Sequence, residues 1–195
     1  GFDSIPSDMG VYFLQQQMLA KHDVPAQQIK FRLRGISGGV SGGTIDSMMA
    51  MLEKAREDKT ILKQLADPYL LNDSSRGTDG LERMSAFFDD DFDAWVGPFV
   101  MAGVNTKVVR RSNELLAHQY GTDFQYSEGT LTRRGAGGFL GATGLGVGSG
   151  AVAALVSLGP TRSLLQKVLP KPGEGPSEDA INNGYFHIEM LGKHP

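Results

Sequence analysis

Four glycines crowd the six positions from Gly38 to Gly43, and Thr44 follows them. A loop of this composition leaves backbone N–H groups free at the start of the next helix. It can hold an anion or let a flat ligand approach the main chain closely. The plainer alternative is a flexible connection in which Thr44 caps the helix. A second chemical signal is the basic run Lys107, Arg110 and Arg111. Adjacent arginines diverge by about 100° around a helix, so one meets a cleft or an acidic partner while the other meets water. The acidic run Asp89, Asp90, Asp91 and Asp93 has no calcium-loop spacing and is expected to be a solvated loop. His22, His118, His187 and His194 show no ligand spacing, so no metal site is expected. Gly146-Val-Gly148-Ser-Gly-Ala151 fits the dinucleotide pattern G-x-G-x-x-A. It follows no good strand and has no acid in the right βαβ context, so it is rejected.

Periodicity shows which elements must carry these groups. Ile29, Phe31 and Leu33 alternate with Lys30, Arg32 and Arg34, the pattern of a half-buried strand. Ile45, Met48, Met49 and Leu52 then fall at i, i+3, i+4 and i+7, one stripe of a helix. The glycine loop therefore joins a strand to a helix. Upstream, Pro6 suits the first turn of a helix running to about Lys21, with Val11, Leu14 and Met18 as its buried line. Asp8 in that first turn complements the helix dipole and argues against a phosphate docking there. Downstream, short helices are expected near 60–66 and 79–87, and Phe92–Val96 should be extended. The pattern predicts a helix from Phe99, with Val104, Val108, Leu115 and Leu116 as its apolar side and Gly121 as its C-cap. A strand around 123–132, a short helical start at Ser177–Ala180, a turn at Asn182–Gly184 and a strand over 185–191 complete the chain.

A chain of 195 residues with 40% hydrophobic content can bury a real core. Net charge is −3 and the pI about 5.8, which excludes a global basic field for nucleic acid. Absence of cysteine removes disulfides, thiolate metal sites and a cysteine nucleophile together. The first residues, GFDSIPSD, lack a basic and apolar leader, and a cytoplasmic protein is expected. Residues 135–158 hold 24 positions without a charge, enough to span a membrane. Eight of them are glycine, each weakening a helix by about 1 kcal/mol relative to alanine. A buried or interfacial helix is favoured over a true span. The residues alone describe a soluble α/β-type domain with one glycine loop, and they name no reaction.

Four segments in order carry a resemblance: GFDSIPSD, SGGT at Ser41–Thr44, GPFVMAGVNTKVVRRSN at Gly97–Asn113, and PGEGPSEDAINNGYF at Pro172–Phe186. Together, over essentially the whole chain, they resemble the saccharopine dehydrogenase-like oxidoreductases, including the trans-acting enoyl reductases of bacterial complex-lipid synthesis. The resemblance implies a Rossmann NAD(P)-binding domain upstream of Gly1 and a chain continuing past the last strand. Residues 1–25 would then be a connecting helix. Residues 26–195 would form an α+β substrate and dimerisation domain, a mixed β-sheet flanked by helices. By the same resemblance Phe2, Asp3, Ser4 and Pro6 neighbour the cofactor, and Gly42, Gly43, Thr44 and Arg111 lie on the substrate side. Asp3, Ser4 or a water are the alternatives for a proton donor. NAD(P) is expected in the intact protein, with none bound to this piece, which should be inactive alone. The uncharged 135–158 segment points to a small-molecule or lipid-like substrate, or to peripheral membrane contact. A homodimer is expected, with no nucleic-acid partner. The competing reading is a non-catalytic dimerisation or membrane-docking module.

Overall fold

In the computed structural model, which describes residues 3–38, 42–157 and 175–194, the expected alternation becomes strand β1 (Gln28–Ser37). Its neighbours are β4 (Gln125–Leu131), running parallel, and β5 (Tyr185–Lys193), running antiparallel. A hairpin of β2 (Phe87–Asp89) and β3 (Ala94–Gly97) extends the sheet, with β3 meeting β4 only at Val96↔Leu131 and Gly97↔Thr130. The order is β2-β3-β4-β1-β5. The helices are α1 (Ser4–His22), α2 (Gly42–Glu57), α3 (Lys59–Leu65), α4 (Ala102–Leu115), α5 (Gly135–Ser157) and α6 (Glu178–Asn183). This is an α+β fold, a mixed sheet flanked by helices.

Helix α1 starts where Asp3 accepts the Ser4 N–H and ends at Asp23, in the left-handed region at φ 59°. The buried Gln15 side chain then brackets Ala26, donating to its carbonyl at 2.9 Å and accepting from its N–H at 2.8 Å. That clamp fixes the turn into β1. Ile29, Phe31 and Leu33 enter one core with Val11 of α1, Ala102 and Val109 of α4, and Phe99, Phe124 and Tyr126. Each such large apolar side chain contributes about 1.5–3 kcal/mol by leaving water. Helix α1 sits very close to β5: a Cβ at Gly10 would fall 2.5 Å from Met190 Cε.

The opposite face of the sheet corrects one expectation. Asp89 does not belong to a solvated loop. It is buried in β2, accepting from Arg32 Nε and Nη2 at 3.0 and 2.9 Å and from Lys30 Nζ at 2.9 Å. The other three acids, Asp90, Asp91 and Asp93, lie in the β2–β3 connection. Burial opposes ionisation of Asp89, but the hydrogen bonds from Lys30 and Arg32 outweigh it and hold its carboxyl below the usual range. The strict alternation of β1 also stops short, because a bulge between Leu33 and Gly35 isolates Arg34, which pairs with Glu189.

Other expectations shift for identifiable reasons. Helix α2 begins at Gly42, so Thr44 lies inside it and is not its cap. Met49 is buried as expected, while Phe2, residues 39–41, the side chains of Ile45, Met48 and Leu52, and the loop from Pro170 to Glu174 lie outside the described residues. No helix forms over 79–86. Asp79 Oδ2 accepts from Tyr126 N at 3.0 Å and Arg110 Nε at 2.9 Å, drawing this segment along the part of β4 that β3 does not reach. Helix α4 ends at Leu115, six residues before Gly121, because Ala117 and His118 adopt φ of 52° and 59°. Its buried side is also not the expected one. Ala102, Asn105, Thr106, Val109, Arg110 and Asn113 face inward, whereas Val104 and Leu115 are 43% and 68% exposed. Finally, α5 forms over the uncharged stretch but is not a core helix, since only 11% of its apolar window is buried.

Removing one partner of a buried ion pair strands the other. Asp89→Ala is therefore expected to lower unfolding free energy by about 3–5 kcal/mol, measured by urea denaturation at neutral pH. A loss below about 1 kcal/mol would mean that Arg32 finds water or another acceptor.

Candidate functional site

Three elements converge under the first turn of α1. Ser4 Oγ donates to Asn105 Oδ1 of α4 at 2.9 Å. Asn105 Nδ2 donates to Glu128 Oε2 of β4 at 3.0 Å, and Tyr126 O–H donates to Glu128 Oε1 at 2.8 Å. Asn105 is fully buried and Glu128 nearly so. Ser7 Oγ is buried beside Tyr126 and Glu128 and eases their desolvation, yet it has no well-formed hydrogen bond among the described residues. Burial raises the Glu128 carboxyl above its ordinary value, against the opposing effect of the neighbouring Ser7, Tyr126 and Asn105 side chains. Burial likewise lifts the Tyr126 hydroxyl, and the adjacent Glu128 charge lifts it further.

A second buried cluster continues from the first along α4. Arg110 Nε and Nη2 hold Asp79 and Glu82 at 2.9 and 3.1 Å, and Nη2 also donates to the Tyr126 carbonyl at 3.2 Å. One of the adjacent arginines thus turns inward and the other outward, as the 100° divergence requires. Arg110 is the inward one. Arg111 instead pairs at the surface with Asp73 Oδ2 at 2.8 Å and Glu114 Oε2 at 2.7 Å. Burial raises the Glu82 carboxyl, with Arg110 opposing.

The register places the α1 start along the sheet. Gly10 lies on Met190 and Gly192 on Leu14, so α1 and β5 run side by side in the same direction. At about 1.5 Å per helical and 3.3 Å per strand residue, Ser4 reaches the level of His187. His187 is opposite Gly35, two residues from the end of β1. Ser4 therefore lies at the carboxyl ends of the parallel pair β1 and β4, where open sheets commonly bind ligands. The glycine loop and the start of α2 leave β1 at this same end. Gly38 there has φ 131° and abuts the Ala180 carbonyl and Gly184.

The first turn of α1 offers a limited set of contacts. Asp3 takes the Ser4 N–H at 3.0 Å, and Pro6 has no N–H to give. Helix geometry leaves Ile5 N–H as the first-turn donor without a partner in the helix. The Ser4 proton is committed to Asn105, so its lone pairs face outward as acceptors. One donor and one acceptor beside a carboxylate suit a neutral amide or carbonyl better than a phosphate. Of the other residues singled out by resemblance, Gly42 opens α2, Thr44 follows within it, and a Cβ at Gly43 would touch nothing within 4 Å.

Sequence reasoning missed Asn105, Tyr126 and Glu128. Asn105 has a signal in the sequence: Ala102, Asn105, Thr106, Val109, Arg110 and Asn113 fall at i, i+3, i+4, i+7, i+8 and i+11, a largely polar stripe at helical spacing, whereas Tyr126 and Glu128 on β4 have none. Two overlapping Gly-x-Ser-x-Gly strings, Gly35–Gly39 and Gly39–Gly43, also cross the loop. Ser37 still belongs to β1, opposite Tyr185, and Ser41 lies outside the described residues. No hydrogen bond joins Ser37 to a base among the described residues. A cavity of about 640 Å³ opens beside residues 79–83. Most of the charges that wall it are already paired, Lys30 and Arg32 with Asp89, Lys193 with Asp91, and Arg110 with Asp79 and Glu82, while Arg83 lies over the Phe87 ring. Such a lining offers little net attraction to a charged ligand.

Comparison with known proteins agrees on one group. A Mycobacterium tuberculosis protein named as a candidate trans-acting enoyl reductase is 36% identical over 97% of this chain and 48% of its own length. Trans-acting enoyl reductases of Mycobacterium bovis and Mycobacterium ulcerans are 34% and 31% identical over the same shares. Along nearly its whole length the chain is thus similar to part of proteins named trans-acting enoyl reductases. It spans about half the length of the curated relatives it matches. No family model matches the chain, and no solved structure does.

The Glu128 environment gives a pH prediction. A carboxyl raised on folding favours the protonated native state, so its contribution is fully present below the unfolded value near 4.5 and is lost as pH rises through the higher folded value. Glu128→Gln keeps the shape of the protonated form. Wild type should therefore lose stability relative to Glu128→Gln as pH rises from about 4.5 towards neutrality, measured as the difference in Tm. A pH-independent difference would show that Glu128 titrates normally.

Proposed function

We propose that the intact protein is an NAD(P)H-dependent oxidoreductase of the saccharopine dehydrogenase-like class, reducing an enoyl or related acyl group, and that this chain is its substrate-side half. Homology to the trans-acting enoyl reductases over 97% of the chain carries the reading. The contacts around Ser4 support it independently. The neutral donor and acceptor of the first α1 turn fit a nicotinamide carboxamide, with Ile5 N–H donating to its oxygen and Ser4 Oγ accepting from its NH2. Phe2, Asp3 and Pro6 would complete that side. The pyrophosphate finds no comparable cradle among the described residues and would be held by residues outside this chain. When bound, the reduced cofactor supplies a hydride. The chain's own part is then to fix the ring, exclude water and orient the acyl group.

Asn105 and Glu128 do the fixing, because they leave the Ser4 hydroxyl one low-energy direction. To donate a proton itself, Ser4 would have to release Asn105. This makes it a better positioning acceptor than an acid. Gly42, Gly43 and Thr44, leaving β1 at the same end of the sheet, are assigned to the substrate side, and Arg111, paired with Asp73 and Glu114, is assigned there by resemblance alone. The uncharged approach across α5 suits an acyl chain better than a dicarboxylic amino acid.

Fluorescence titration with NADPH and NADH tests the reading on two proteins: this 195-residue chain, and a longer one carrying the natural flanking residues. Binding by the longer protein alone is expected, with Ser4→Ala weakening it about two- to tenfold, the worth of one hydrogen bond. Tight binding by the short chain would instead make the glycine loop the nucleotide site. No binding by either would remove the oxidoreductase assignment.

A further inference from the structure

Helix α5 touches the sheet along one side only. Ala142 is buried against Gly97, with Leu145 beside it, and the Phe139 ring meets Trp95 at 4.8 Å between centroids. Beyond its contacts with α2, Met84 and Pro98, the remaining surface is apolar and free of charge. Leu140 is 67% exposed, Val147 68%, Val152 59% and Leu155 44%. At about 100° per residue these four side chains spread over about 140° of the circumference. A solvated helix ordinarily carries charged residues on such a face.

Charge in the surrounding sequence is strongly one-sided. From Gly129 to Gly173 there is no acidic residue, whereas Arg133 and Arg134 precede the helix and Arg162, Lys167 and Lys171 follow it. This holds in a chain whose net charge is −3. Arg133 and Arg134 are exposed, and the one ion pair they make among the described residues, Arg134 with Asp93, has both partners largely in solvent and is weakly held.

We infer that the outer face of α5 docks on the surface of an anionic lipid bilayer, with Arg133 and Arg134 against the headgroups. An apolar face bracketed by cations is the combination that such an interface takes up. Two copies meeting along α5 would set cationic flanks against cationic flanks. The helix lies in the interface and does not cross the bilayer. Its 23 residues would reach about 34 Å, long enough to span. However, its Ala142 side is held on β3, and lipid cannot surround a sheet with open hydrogen-bonding edges. The inference does not depend on the reductase reading.

The test is flotation of the 195-residue chain with phosphatidylcholine vesicles, with and without phosphatidylglycerol. The chain should float with the anionic vesicles and less with the neutral ones. Leu140→Asp with Val147→Asp should cut partitioning about a hundredfold, given two large apolar side chains withdrawn from lipid. Arg133→Ala should cut it about fivefold. All these side chains are on the surface, so thermal melting followed by circular dichroism should match wild type and separate loss of docking from loss of fold. Wild type remaining at the bottom overturns the inference, as does a double-aspartate variant that floats equally well. A concentration-dependent dimer that the aspartates dissociate, without any flotation, also overturns it and assigns the face to a second copy.

Discussion

The Glu128 carboxyl is the group on which the geometry of the α1 start depends. A carboxyl taken out of water costs several kcal/mol unless it is neutralised or well hydrogen-bonded. Here two donors meet it, the Asn105 amide and the Tyr126 hydroxyl. Asn105 has no freedom left, because its other end accepts from Ser4. Three elements remote in sequence are therefore held together at hydrogen-bond precision. If α4 rotated by one residue, about 100°, it would remove the amide and leave the carboxyl unpaired. The position of Ser4 follows from the burial of Glu128 more than from anything in α1 itself.

The other face of the sheet solves a similar problem with full charges. Arg32 is as buried as Phe31, its neighbour in the core, and Asp89 is its counter-ion. Lys30 bridges Asp89 to Asp91, and Lys193 reaches Asp91 from β5. The hydrogen bonds from Lys193 and Lys30 hold the Asp91 carboxyl below its ordinary range. This network ties the β2–β3 hairpin to β1 and to the far edge strand β5, which the short β3–β4 contact could not do alone. It also occupies most of the charges that line the cavity beside residues 79–83, so that space is not the most reactive one.

Local signals in the sequence were sufficient where one physical effect dominated. The Ile29–Leu33 alternation, the Pro6 helix start and the Tyr185–Leu191 alternation all correspond to elements in the structure, as does the inward and outward divergence of Arg110 and Arg111. They failed where a distant partner decided. Residues 79–86 have helical composition, but Tyr126 and Arg110 hold Asp79 in an extended path. Asp89 looks solvated until Arg32 is brought across from β1. Periodicity identified α4 and chose its wrong face, because valines and leucines were assumed to point inward. The uncharged run of α5 was legible as a helix, but not its exposure, since a buried helix and a lipid-facing one have the same composition.

The inverted burial of α4 bears on function. Val104 and Leu115 are left in solvent while Asn105, Thr106, Arg110 and Asn113 are taken inside. Apolar residues of similar volume commonly do at least as well as buried polar networks for stability. Stability alone therefore gives no reason to prefer this face. Positioning does, because an amide that accepts from Ser4 and donates to Glu128 fixes a hydroxyl in a way that a leucine cannot. Departures from local folding rules are expected where a site needs them. α4 departs along the very stripe that reaches the first turn of α1, at the carboxyl end of the parallel strands. α5 departs in the opposite sense, exposing apolar surface instead of burying polar groups. One departure organises a neutral recognition point and the other leaves an oily approach on the same molecule. On the proposed reading, the two together would suit an acyl substrate presented from a lipid phase.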